Sequence, residues 1–124
     1  MHDRPNAEEL LAAIAMSLEQ EIMPALSGGL EYRARVAVSL ARIVERELRL
    51  GPAALAREQA LLETLVGAGE SVLALNTRLA ALLRSGATDR EFERRAHAAL
   101  DEIARAKLAI ARPGYQSYDA TVDA

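Results

Sequence analysis

Apolar residues recur along this chain at helical spacing, and no segment alternates apolar and polar residues with the period of two that a half-buried strand would show. Leu11, Ile14, Leu18 and Ile22 mark a first helix. It opens at Asn6, with Glu9 three residues on as in a capping box, and it closes over Pro24 and Gly28-Gly29. A second helix runs from about Leu30 to Leu50, with Tyr32, Val36, Leu40, Ile43 and Leu50 on one face. Gly51 is read as its end, and Pro52 suits the first turn of a third helix carrying Leu55, Leu62, Leu65 and Val66 up to Gly67-Ala68-Gly69. Ser71 caps a fourth helix with Val72, Leu75, Leu79, Leu82 and Leu83, which stops at Gly86. Thr88-Asp89-Arg90-Glu91 offers a second capping box, opening a fifth helix through Phe92, Ala96, Leu100, Ile103 and Ile110 to Arg112-Pro113-Gly114. The expected fold is all-α: a single-domain bundle of about five antiparallel-leaning helices over residues 1–113, with a flexible C-terminal tail over 114–124.

Composition agrees with that class. The 124 residues include 26 alanines, 19 leucines and only four aromatics, Tyr32, Phe92, Tyr115 and Tyr118, so good helix formers dominate and strand formers are scarce. The formal net charge of −3 argues against nucleic-acid binding, which normally needs a basic excess. With no cysteine there is no disulfide, thiolate nucleophile or cysteine-ligated zinc. The polar, acidic start lacks the basic and apolar regions of a secretory signal, and uncharged stretches fall far short of the roughly 20 residues of a membrane span. A cytoplasmic protein is expected.

Few positions suggest chemistry. Gly67-Ala68-Gly69 follows a helix and lacks the remainder of a phosphate-binding loop, so it is read as a helix–helix turn. His97 and Asp101 lie four apart, but a stable metal site needs three or four ligands. No serine has the Gly-x-Ser-x-Gly setting of a hydrolase, and no cofactor or metal is expected. Arg35, Arg42, Arg46 and Arg49 occupy a sector about 60° wide on the second helix and are candidates for gripping an anion or an acidic partner. Against this, Glu31 and Glu45 stand four residues before Arg35 and Arg49, the order that favours intrahelical pairs on a solvated face. Met16 and Met23, nearly opposite the leucine–isoleucine stripe, either place helix one at the centre of the bundle or are interface candidates for a homo-oligomer or a partner protein. Glu47 lies among the apolar residues of helix two and Lys107 between Ile103 and Ile110; with Asn76 they are expected to form a buried polar cluster, structural or ligand-binding.

Several strings carry a family resemblance: His2-Asp3-Arg4-Pro5 leading to Glu9-Leu10-Leu11, Pro24-Ala25-Leu26-Ser27-Gly28, Arg35-Val36-Ala37, and Glu47-Leu48 before Gly51-Pro52. Later ones are Leu75-Asn76, Lys107-Leu108-Ala109-Ile110 and Pro113-Gly114-Tyr115. Together these resemble an uncharacterised bacterial family of small all-helical domains, defined only as a domain of unknown function. Its members are encoded beside, or fused to, aminoglycoside-phosphotransferase-like kinases and acyl-CoA dehydrogenases. Arg35, Glu47, Asn76 and Lys107 match its recurring polar positions, whereas Ser39 and Arg112 stand where the family pattern has asparagine. The resemblance implies a setting in acyl-CoA or phosphotransfer metabolism, not a reaction. The leading expectation is a non-catalytic accessory or assembly module binding such an enzyme. The alternative is a small-ligand binder or enzyme using the polar cluster inside the bundle.

Overall fold

The computed structural model describes residues 3–114, and these contain no strand. Helix α1 spans Ala7–Ser17 and continues through a π turn, Leu18–Ile22, and a 3-10 turn, Met23–Ala25. Helix α2 spans Gly28–Val66, α3 Val72–Ser85 and α4 Arg90–Ala111. Among the described residues no helix is long and apolar enough to cross a membrane.

Among the described residues four α-helices stand where about five were expected, because the second and third are one element. Gly51-Pro52 does not end α2, which runs on for 39 residues with Pro52 inside it. Proline at this position loses its own N–H bond to the carbonyl four residues back and crowds that carbonyl with its ring, a cost of about 3 kcal/mol. Flanking turns rich in leucine, alanine, glutamate and arginine supply enough helix preference to carry the chain across. The local signal of glycine followed by proline was overridden by the elements on either side.

Most of the predicted end signals hold. The Asn6 side chain accepts from the Glu9 amide at 2.9 Å, and the Glu9 carboxylate accepts from the Asn6 amide at 3.3 Å. Ser71 Oγ accepts from the Ala74 amide at 3.1 Å, and Gly86 ends α3 with a left-handed φ of 72°. At α4 the cap is one residue later than the Thr88 reading: Asp89 Oδ1 accepts from the Phe92 amide at 2.8 Å. The α2–α3 turn gains a cap that sequence did not suggest. Arg78 Nη1 donates to the carbonyls of Val66 and Ala68, at 3.0 and 3.1 Å, satisfying acceptors at the end of α2.

The chain forms two compact units. The first comprises residues up to Gly51 with Ile110–Arg112; its core is Ala15, Val38 and Ala41, against which Leu11, Leu18 and Met23 pack. Here the expected apolar face of helix two is corrected. Ala34, Val38 and Ala41 are buried, while Tyr32, Val36 and Leu40 are exposed. Small side chains let two helix backbones approach closely, so α1 settled on the alanine face instead of the leucine face. On α1, likewise, Ala15 is fully buried but Ile14 and Ile22 are exposed.

The second unit runs from Pro52 to Ala109 and includes the end of α2, α3 and most of α4. Leu62, Leu75, Leu79, Ala96 and Ile103 form its core, flanked by Leu61, Leu65, Val66, Val72, Leu83 and Phe92. Leu62 and Leu75 are fully enclosed, each worth about 1.5–3 kcal/mol of burial. Leu75→Ala should therefore cost about 2–5 kcal/mol in urea unfolding. Leu73→Ala, two residues away but 78% exposed, should change stability by less than about 0.5 kcal/mol.

Candidate functional site

Among the described residues the buried acid is Glu58, on α2 in the second unit, only 7% exposed among otherwise apolar core residues. A carboxylate removed from water must find donors or charge. Asn76 on α3 supplies one: its Nδ2 lies 3.4 Å from Glu58 Oε2 and also donates to the Val72 carbonyl at 3.1 Å. Lys107 on α4 supplies the other, with Nζ 3.5 Å from the same oxygen. Three helices thus meet at one carboxylate oxygen.

Two of the three expected members, Asn76 and Lys107, are brought together, but the acid between them is not Glu47, which is exposed. Lys107 is not buried either; its side chain remains 68% exposed, with the long stem carrying the ammonium outward. Glu58 could have been found by continuing the helical wheel through Gly51-Pro52. It lies eleven residues after Glu47, close to three turns, so on an uninterrupted helix the two share a face within about 20°.

Beside this cluster, Arg57 makes a two-point contact with Glu102: Nε to Oε2 at 2.7 Å and Nη2 to Oε1 at 3.2 Å. These hydrogen bonds, and secondarily the attraction between the charges, raise the Arg57 guanidinium further above its already high value. The same hydrogen bonds hold the Glu102 carboxyl below the ordinary carboxylate range, with slight desolvation opposing them. Forty-five residues separate the pair, so nothing local in the sequence marks it. Glu102 also borders a shallow groove of about 220 Å³ between α2 and α4, walled by Leu61, Leu65, Ala98 and Ala99. The groove is apolar, smaller than the few hundred Å³ usual for ligand sites, and not lined by Glu58, Asn76 or Lys107.

In the first unit the arginine row is engaged within the chain. Arg35 pairs with Glu31 at 2.9 Å and Arg49 with Glu45 at 3.1 Å, the intrahelical pairs that the spacing suggested. Arg42 reaches Glu19 at 3.7 Å, and Arg46 Nε donates to the Ile110 carbonyl at 2.8 Å. The two methionines part company: Met23 packs on the first unit's core, and Met16 is exposed. Among the described residues no group of three or more His, Asp or Glu is placed to hold a metal ion.

A further exposed feature is apolar. On α2, Val36, Leu40, Val44 and Leu48 repeat every four residues and remain 37% to 58% exposed. Leu10 and Ile14 on α1 are exposed as well. Glu19 and Arg42 identify the polar side of the α1–α2 pair. Leu10 and Ile14 lie about 140–180° around α1 from Glu19, and Leu40 about 160° around α2 from Arg42, so all three are on the opposite side. These exposed residues give α2 a second apolar side.

Residues 24–115 match the profile of a family described as Domain of unknown function (DUF6285). No curated protein matches the chain. No solved structure matches it.

Two outcomes test the polar sites. Lys107→Met should cost about 1–3 kcal/mol, because it leaves the enclosed Glu58 carboxylate without its counter-charge, and Glu58→Gln combined with Lys107→Met should recover part of that loss. Strictly additive losses would mean that the ammonium and the carboxylate do not interact. For Glu102, whose folded value is lowered, the stabilisation is present above the ordinary carboxylate range and fades as pH falls through the lowered value. Arg57→Met should move the Glu102 carboxyl titration, followed by NMR, upward towards the ordinary range.

Proposed function

The chain belongs to the DUF6285 family, and we propose that it is a non-catalytic assembly module that binds protein through the uncovered apolar side of its first unit. One observation carries this reading. Val36, Leu40, Val44 and Leu48 form a regular helical stripe that stays 37% to 58% exposed among the described residues. An amphipathic helix presenting anchors at this spacing is a recurring way for proteins to dock. The polar residues singled out by the sequence have partners within the chain. Glu58 is met by Asn76 and Lys107, and the four arginines of the row contact acids or a carbonyl of the same chain. The finer proposal, drawn from the sequence resemblance, is that the protein held is an acyl-CoA dehydrogenase-like or phosphotransferase-like bacterial enzyme.

Affinity purification from the native host, with wild type and Val44→Glu compared by mass spectrometry, tests the proposal. An enzyme of one of these classes should co-purify with wild type and fall at least about tenfold with Val44→Glu, while circular dichroism shows unchanged helicity. Recovery of the bait alone, or of the same enzyme equally with both forms, would contradict it.

A further inference from the structure

The exposed stripe of α2 is complementary to its own reverse about Leu40. Four residues before and after it stand Val36 and Val44; seven before and after stand Arg33 and Glu47; eight before and after stand Tyr32 and Leu48. Arg33, Val36, Leu40, Val44 and Glu47 fall within about 80° of one another around the helix. All five are exposed, and among the described residues Arg33 and Glu47 enter no ion pair.

We propose that the occupant of this stripe is a second copy of the same chain, its α2 crossing the first antiparallel about a two-fold axis at Leu40. The inference rests on the assembly reading above: in the isolated chain the stripe is covered by a second copy, which an enzyme partner must displace. In a two-fold contact, residue i meets residue j and j meets i. An axis at Leu40 sets Leu40 against its own mate and Val36 against the mate of Val44. It also brings each Arg33 to the mate of Glu47, so the two charges within the apolar stripe find opposite charges at both ends. A parallel pairing in register would instead set arginine against arginine and glutamate against glutamate. A partner of unrelated sequence would need its own match to this order of charge, apolar centre and opposite charge; the chain already carries one.

The area is sufficient. Leu10, Ile14, Val36, Leu40, Val44 and Leu48, each roughly 40–60% exposed, leave on the order of 500 Å² of apolar surface on one side of the α1–α2 pair. That is about the apolar share of the roughly 800 Å² per partner in a stable interface. Two such helix pairs face to face form a four-helix arrangement, in which each helix's second apolar face gains a neighbour.

Charge reversal separates this pairing from every other occupant. Arg33→Glu places two acids at each end of the interface and Glu47→Arg two arginines, so each variant alone should be weakened at least about tenfold in dimer dissociation constant by sedimentation equilibrium at low salt. Mixing the two variants restores an acid opposite an arginine at both ends. The mixture should form a 1:1 heterodimer close to wild-type affinity, with Arg33→Glu/Glu47→Arg likewise restored as a homodimer. Wild type sedimenting as a monomer up to about 100 µM, or a mixture no tighter than the separate variants, would overturn the two-fold pairing. Either result would leave capture of an enzyme through Val44 standing, because that is read from co-purification in the host and not from the isolated chain.

Discussion

Between Gly28 and Gly51, α2 has two apolar faces and only one helix from its own N-terminal segment to satisfy them. The face of small residues, Ala34, Val38 and Ala41, is taken by α1, whose fully buried Ala15 fits against it. The face of large residues, Val36, Leu40, Val44 and Leu48, is left in water. Exposing several branched aliphatic side chains forgoes stabilisation at about 25 cal/mol per Å². A helix pair arranged this way gains by association. The arrangement also keeps the arginine row on the side away from the stripe, where each arginine has a contact within the chain.

The second unit solves the same problem internally. There the end of α2 is covered by α3 and α4, and Leu62, Leu75 and Leu79 are sealed among them. Its one buried carboxylate, Glu58, is tolerated because an amide and an ammonium converge on it from the other two helices. Such a contact contributes less to net stability than to specifying how the helices meet, since a mismatched packing would leave the charge without partners. Lys107 remains mostly in water, so Asn76 is the more enclosed of the two donors.

Helix content and most helix ends were legible because they depend on local chemistry: Asn6 with Glu9, Ser71, and Gly86 each act within one turn of themselves. Gly51-Pro52 misled because a break signal is only a local cost, and the turns on either side outweighed it. That error moved the buried acid from Glu58 to Glu47, three turns earlier on the same face. The packed face of α2 was misread for another reason. Counting large apolar residues favours Val36 and Leu40, whereas close helix contact selects alanines, which a hydrophobicity pattern barely registers. Arg57 with Glu102, and Arg78 with the carbonyls after α2, depend on tertiary approach and leave no trace in spacing.

The absence of cysteine from the sequence provides a direct probe of the uncovered face. A single Leu40→Cys substitution places one thiol at the proposed axis, and Leu73→Cys places one at a more exposed site on α3. Mild oxidation followed by non-reducing electrophoresis compares them at equal concentration. Pairing centred on Leu40 predicts rapid, nearly complete disulfide-linked dimer for Leu40→Cys and slow, partial linkage for Leu73→Cys. Linkage of Leu40→Cys no faster than that of Leu73→Cys would contradict it.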